Sequence, residues 1–366
     1  MPLNNTELLY YDANILRLPA DKRKEYHAQV DRLIAELSRS IRDKTKIKIT
    51  KVVKAGSFAK FTILRKTSSD PVDVDIVFYI SGKSIDTETL QTLNDTIYNL
   101  LIEIYPNKDV EDFDIQRKAA TVSFVGSGLS VDVVPVIEDL SKPGYGWQFD
   151  LQDGSAMETC APCQIQFVRD RKGKDKDFRT LVRLAKKWRN HAELKPLKSF
   201  AIELIMAYIL DKEGSAGSIE QRFRRFLLYI AQSGLKDTIT FPENVAPFGT
   251  FTDPVIIIDP VNSKNNVASR ITQAERAEIV AAAQVAWEAA HFASAEDDND
   301  VWKELFVPVS ALRKMHELRR HRYREHQLHL YGRRHRSRRP PFHRGHRDDS
   351  AKLRCHHRER SPRIRA

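Results

Sequence analysis

The stretch Val72-Asp73-Val74-Asp75-Ile76-Val77-Phe78 decides the fold, because it alternates acidic and apolar side chains with the period of a β-strand. Residues two apart in a strand share a face, so Asp73 and Asp75 point to the same side. Neighbouring carboxylates in apolar surroundings repel each other unless a cation lies between them. Such oxygen ligands suit Mg²⁺ or Mn²⁺ carrying substrate phosphates. The alternative that these residues leave open is the solvated face of an edge strand.

A second strand-like run, Leu129-Ser130-Val131-Asp132-Val133-Val134, carries one further acid among apolar residues. If the two strands are neighbours, Asp132 completes a cluster of three carboxylates that can hold two metal ions. One ion would activate an attacking hydroxyl, and the other would steady a leaving pyrophosphate. We therefore predict Asp73, Asp75 and Asp132 as the catalytic and metal-binding residues.

A Gly-Ser turn, Gly56-Ser57-Phe58-Ala59-Lys60-Phe61-Thr62, follows a predicted strand over 46–53 and precedes the aspartate pair. A turn of this kind at a helix N-terminus presents backbone N–H groups and a hydroxyl to a phosphate. An ordinary serine N-cap explains the same residues. The short return to Asp73 places the turn and the aspartates at the same edge of the sheet.

The remaining pattern predicts a mixed α/β protein with a helix, then a small sheet, then a helical region. Apolar residues at helical spacing predict helices over 21–43, 87–105, 178–191, 199–212, 219–233 and 271–292. Runs rich in β-branched residues predict strands over 46–53, 72–80, 119–125 and 129–137. The charged stretch around Gly173, residues 169–177, is typical of an exposed loop between two helices.

Composition and charge divide the chain of 366 residues further. The segment 313–366 carries 19 Lys or Arg and 5 Asp or Glu, whereas the whole chain has a formal net charge of +11, so the body is slightly acidic. We expect three parts: a core over 1–150, a helical lobe over 151–312 and a disordered basic tail over 313–366. Three cysteines and the lack of an apolar stretch of membrane-spanning length predict a soluble cytoplasmic protein.

The three motifs GSFAKFT, VDVDIV and SVDVVPV together resemble the nucleotidyltransferase superfamily that shares the palm of DNA polymerase β. RLAKKW (183–188), KSFAIELI (198–205) and DPVNSKNNVA (259–268) resemble the helical lobe of the bacterial CD-NTases. These are relatives of cyclic GMP-AMP synthase and oligoadenylate synthetase. The similarity covers roughly residues 10–310 and is greatest to the clade that makes cyclic trinucleotides.

The resemblance implies a polymerase-β-like palm with a helical C-terminal lobe that closes over a nucleotide. It implies an Mg²⁺-dependent enzyme that makes a cyclic oligonucleotide messenger from ATP, and from other nucleoside triphosphates, in anti-phage defence. The family's metal-binding acids match Asp73, Asp75 and Asp132, and its triphosphate contacts match Ser57, Lys186 and Ser199. A HORMA-type regulatory protein is an expected partner.

Two of the implied contacts have simpler explanations in the sequence. Lys186 could belong to a solvated basic helix face, and Ser199 could be the N-cap of the following helix. The family turn commonly has glycine where Phe61 stands, which leaves the backbone geometry of this turn open. Cys160-Ala161-Pro162-Cys163 has zinc-like spacing but no second pair in the body, so we do not expect a zinc site. We do not expect a redox CxxC motif either, because the context is not the start of a helix in a βαβ unit.

Other functions remain open. A related transferase could make linear oligonucleotides or extend an RNA end, although an acidic body is a poor surface for a large RNA. A non-catalytic protein could instead bind nucleic acid through the basic tail.

Overall fold

The structure is a computed structural model that describes residues 4–65, 71–82, 87–116, 118–150, 154–296 and 298–306. The predicted tail over 313–366 lies outside these residues. All described residues belong to one compact unit, Met1–Pro308. The division of this unit near residue 150 stays a prediction.

The α-helices of the described residues lie mostly in the second half of the chain. In chain order the α-helices are α1 (Asn5–Tyr11), α2 (Ala20–Lys44), α3 (Gly56–Lys60), α4 (Thr87–Ile104), α5 (Ala161–Lys174), α6 (Phe178–His191), α7 (Ser199–Glu213), α8 (Ile219–Ser233), α9 (Gln273–Glu296) and α10 (Asn299–Glu304). None of the helices in the described ranges is long and apolar enough to cross a membrane.

The strands form one central sheet and a small hairpin. They are β1 (Lys48–Lys54), β2 (Val72–Ser81), β3 (Phe113–Ile115), β4 (Ala120–Phe124), β5 (Leu129–Glu138), β6 (Gly146–Asp150), β7 (Ser155–Thr159), β8 (Ile258–Asp259) and β9 (Asn262–Asn266). The sheet order is β1-β2-β5-β4-β3, with β6 joining β5 to β7. Among the named strands that the structure describes, only β2 and β5 pair in parallel. A parallel pair needs a long connection, which α4 and the β3–β4 hairpin provide here.

The period-two pattern of β2 and β5 separates two faces of the sheet. Val74 and Ile76 of β2 and Val131 of β5 point to one face, where they are fully buried against apolar residues of α2 and α4. Asp75 and Asp132 therefore point to the opposite face. The alternating sequence of β2 thus determines which face of the sheet packs into the core and which face carries the carboxylates.

A second apolar core lies among the helices. It contains buried side chains of α6, α7, α8 and α9, including Trp188, Phe223 and Phe226. Helix α7 is buried almost all round, as its apolar sequence predicts.

The predicted loop over 169–177 is wrong for most of its length. Helix α5 continues through Gly173 to Lys174, so only residues 175–177 connect it to α6. Arg171, which is 1% exposed, pairs with Asp211 at 2.6 Å and with Glu243. These ion pairs hold the charged end of α5 in place, and the sequence alone does not show them.

Candidate active site

The two acidic strands lie side by side. In the parallel register Asp75 is the partner of Asp132, and Asp73 is the partner of Ser130. Residues paired in this way project to the same face, so the structure brings the three predicted carboxylates to one side of the sheet. Asp73 is exposed, whereas Asp75 and Asp132 are partly exposed.

The electrostatics of these acids reflect their crowding. Burial, and then the neighbouring carboxylate of Asp132, raise the pKa of Asp75 to about 6, although Lys60 opposes the shift. Burial also raises the pKa of Asp132, against a 2.6 Å hydrogen bond that it accepts from the Thr121 hydroxyl. Negative charge at this face is therefore only partly compensated by the chain's own cations.

The Gly-Ser turn packs directly onto Asp75. Gly56 has φ +59°, and a Cβ at this position would lie 1.6 Å from Asp75 Oδ2. The preceding Ala55 N–H donates to the Asp75 carbonyl at 2.7 Å. Only glycine combines this left-handed conformation with so close an approach, which explains the residue type at the turn.

Ser57 lies in the first turn of α3 and is partly exposed. Its carbonyl accepts hydrogen bonds from the N–H groups of Thr62 at 3.0 Å and Ile63 at 3.2 Å, which closes the turn. At the other end of α3, Phe61 adopts the left-handed conformation with φ 62° and ψ 30°. This conformation accounts for the glycine common in the resembled family, because glycine adopts it without steric cost.

Lys186 does not lie on a solvated face, contrary to the simpler expectation for it. It is 3% exposed, and its Nζ donates to Glu203 Oε1 at 2.8 Å and to the carbonyl and hydroxyl oxygens of Thr62 at 3.2 Å. Lys60 donates to the other Glu203 oxygen at 2.8 Å. Burial would raise the pKa of Glu203, but the two ammonium groups outweigh it and hold this pKa at about 2.

Sequence reasoning missed Glu203 and Lys60, although one signal was available. Glu203 is the single acid within the apolar run Phe200–Leu210 of α7, and a buried acid in such a run requires a cationic partner. The partner from α3, Lys60, also lies close enough to Asp75 to lower its pKa. Glu203 therefore connects the Gly-Ser turn to α6 and α7.

Ser199 is the first residue of α7 and not its N-cap, contrary to the simpler expectation for it. The N-cap is Lys198, which makes no side-chain capping bond. The Ser199 hydroxyl accepts a 3.2 Å hydrogen bond from the Arg189 guanidinium of α6. Because residues four apart share a helix face, Ser199 lies one turn from Glu203 and thus beside the Lys186 pair.

The acids offer oxygen ligands of the kind that Mg²⁺ prefers. Within the residues that the structure describes, however, no three acidic, histidine or cysteine side chains already enclose a metal position. The site thus combines carboxylates, a glycine turn and buried lysines. Enzymes that act on nucleoside triphosphates use carboxylates to hold metal ions, and backbone N–H groups and lysines to contact the phosphates.

The comparisons with known proteins agree with this geometry. The family model for the Second Messenger Oligonucleotide or Dinucleotide Synthetase domain matches residues 12–163. The CBASS oligonucleotide cyclase CdnC of Escherichia coli strain KTE188 is 63% identical over 306 residues, which cover 84% of this chain and 97% of that protein. The cyclic AMP-AMP-AMP synthase of E. coli strain MS 115-1 is 35% identical over 281 residues, covering 75% of this chain and 86% of that protein.

Solved structures show the same fold. A structure of E. coli MS115-1 CdnC with ATP has a TM-score of 0.71 and 32% identity, and it covers 83% of this chain and 97% of that chain. A complex of that CdnC with HORMA-deltaN matches with a TM-score of 0.70 and 31% identity over the same shares. The chain belongs to the family of CBASS oligonucleotide cyclases. This confirms the predicted fold class, a mixed α/β nucleotidyltransferase palm followed by helices, and the predicted enzyme class.

Proposed function

We propose that this chain joins ATP, and other nucleoside triphosphates, into a cyclic oligonucleotide for anti-phage defence. The observation that carries the proposal is the register pairing of Asp75 with Asp132 beside the Gly56 turn. The 35% identical relative is named for a cyclic trinucleotide, which supports a cyclic trinucleotide product here.

Asp73, Asp75 and Asp132 are proposed to hold the metal, since their crowded carboxylates are relieved by a divalent cation. When bound, Mg²⁺ or Mn²⁺ supplies activation of the attacking 3′-hydroxyl and neutralises charge at the leaving pyrophosphate. Asp75 must be ionised for this role, so protonation near its pKa of about 6 opposes binding.

Ser57, Lys186 and Ser199 are proposed to contact the triphosphate. Ser57 lies in the first turn of α3, next to the glycine that touches Asp75. A phosphate bound near α7 would replace the contacts between Lys186 and Thr62, since the bond of Lys186 to Glu203 is shorter. Glu203 would keep the ammonium charged and oriented during this exchange.

A HORMA-type regulatory protein is a proposed partner, because the 31% identical CdnC was solved with one.

The test is incubation with the four nucleoside triphosphates and Mg²⁺ or Mn²⁺, followed by phosphatase treatment and mass analysis. A cyclic product has no terminal phosphate, so phosphatase leaves it intact. Its mass equals that of a whole number of nucleoside monophosphates minus one water molecule for each of them. Products that lose phosphate would instead indicate a linear transferase, and no product would refute the proposal.

A further inference from the structure

The motif Cys160-Ala161-Pro162-Cys163 lies outside the carboxylate site, and the structure joins its two sulfurs in a disulfide. The sequence did not favour a redox role for this motif, but the structure places it at the start of a helix. Cys160 is the N-cap of α5, and Pro162 occupies the first turn. The Cys163 N–H donates to Cys160 Sγ at 3.2 Å.

The two sulfurs differ in access. Cys160 is fully buried, whereas Cys163 is partly exposed. A small reagent therefore reaches Cys163 first, while Cys160 lies behind it at bonding distance. This is the arrangement of an entry cysteine and a resolving cysteine.

We propose that Cys160 and Cys163 form a redox-active site that exchanges with low-molecular-weight disulfides such as oxidised glutathione. In the oxidising direction the Cys163 thiolate attacks one sulfur of the external disulfide. The external S–S bond breaks, and one thiolate leaves with the electron pair and takes a proton from water. The Cys160 thiolate then attacks Cys163 Sγ and expels the second thiolate. The protein loses two electrons and two protons, and the external disulfide becomes two thiols.

The motif touches the elements that carry the candidate active site. Ala161, between the two cysteines, packs in one apolar cluster with Ala55 and Tyr79. Its N–H donates to the Tyr79 hydroxyl at 3.2 Å, and Tyr79 lies on β2, the strand of Asp75. Ala55 directly precedes Gly56. The disulfide closes the first turn of α5, and this turn packs against both elements through Ala161.

The experiment uses the full chain with Cys355→Ser, which leaves only the two cysteines of the motif. The protein is equilibrated in glutathione buffers of graded ratio, quenched by acid, alkylated and weighed by mass spectrometry. We expect the fraction without alkyl groups to rise from near zero to near one across the series. A pair that stays in one state throughout would overturn the proposal.

Two single variants in the same background test the order of attack. With oxidised glutathione, Cys160→Ala leaves Cys163 free and should gain one glutathione rapidly, whereas Cys163→Ala should remain unmodified because Cys160 is buried. The reverse order, or equal rates, would contradict the assignment of Cys163 as the entry sulfur. The mass readout does not depend on catalysis, so this proposal and the cyclase function can fail separately.

Discussion

The carboxylate of Asp75 lies against the Cα of Gly56, with no room for a side chain between them. In Gly56→Ala the new methyl group would overlap Asp75 Oδ2, and the alanine backbone would have to adopt a left-handed conformation. We expect activity to fall about a hundredfold or more, since displacements near 1 Å have this effect at catalytic centres. Gly126→Ala is the matched control, because nothing lies within 4 Å of a Cβ there. Equal activity of the two variants, measured as product per minute, would contradict the close contact.

The pKa of Asp75 leads to a prediction about stability. Folding raises this pKa from 3.8 to about 6, so the native state binds the proton more tightly than the unfolded chain does. The carboxyl therefore carries no penalty below pH 3.8, and a penalty develops as pH rises through about 6. It amounts to about 3 kcal/mol at most.

Asp75→Asn removes this penalty, so at pH 7 and without divalent metal the variant should unfold at a higher temperature than the wild type. Mg²⁺ with ATP should stabilise the wild type and have little effect on the variant. Calorimetry at pH 4 and pH 7 measures both effects. A variant that is less stable at pH 7, and still stabilised by Mg²⁺ with ATP, would refute the assignment.

Glu203 is the shared anionic partner of two buried ammonium groups, and Glu203→Gln leaves Lys60 and Lys186 facing each other without an anion. We expect a loss of about 3–5 kcal/mol in the free energy of unfolding. Glu213→Gln, at the exposed end of the same helix, should cost less than about 1 kcal/mol. Urea denaturation compares the two.

Lys186→Met is the informative companion variant, because it leaves the Lys60–Glu203 pair neutral. Its loss of stability should be smaller than that of Glu203→Gln, while its affinity for ATP should fall. Calorimetric titration with ATP would show this. Unchanged affinity would limit Lys186 to a structural role.

Phe61 occupies a left-handed conformation, which costs a non-glycine residue about 1–2 kcal/mol. Its ring is 48% exposed and lies 3.6 Å from the Arg23 guanidinium, a contact worth about 0.5–1 kcal/mol. Phe61→Gly removes the cost of the left-handed conformation but also removes the contact of the ring with Arg23. We therefore expect the free energy of unfolding to change by less than about 1 kcal/mol. Thermal unfolding measures the change, and an unfolded variant would show that the ring is needed for folding.

Much of the fold could be predicted because local patterns agree with tertiary packing. The apolar spacing over 178–191 and 219–233 predicts α6 and α8 with the bounds that the structure has. The charged end of helix α5 could not be predicted, since Arg171 there pairs with residues distant in sequence. The carboxylate face followed from the strand pattern, whereas the Lys60–Glu203–Lys186 network depends on which helices meet. Its residues come from three separate elements.

Three acids on two neighbouring strands are proposed to form one metal-dependent centre. Asp132→Asn is compared with Asp43→Asn, a change at an exposed acid of α2, the helix that packs on the opposite face of the sheet, in the conversion of ATP and Mg²⁺ to phosphatase-resistant product. Because metal coordination stabilises the reacting charges by several kcal/mol, the Asp132 variant should lose at least about a hundredfold in rate while remaining folded. The Asp43 variant should stay near the wild-type rate. A folded Asp132→Asn protein with wild-type activity would contradict the account.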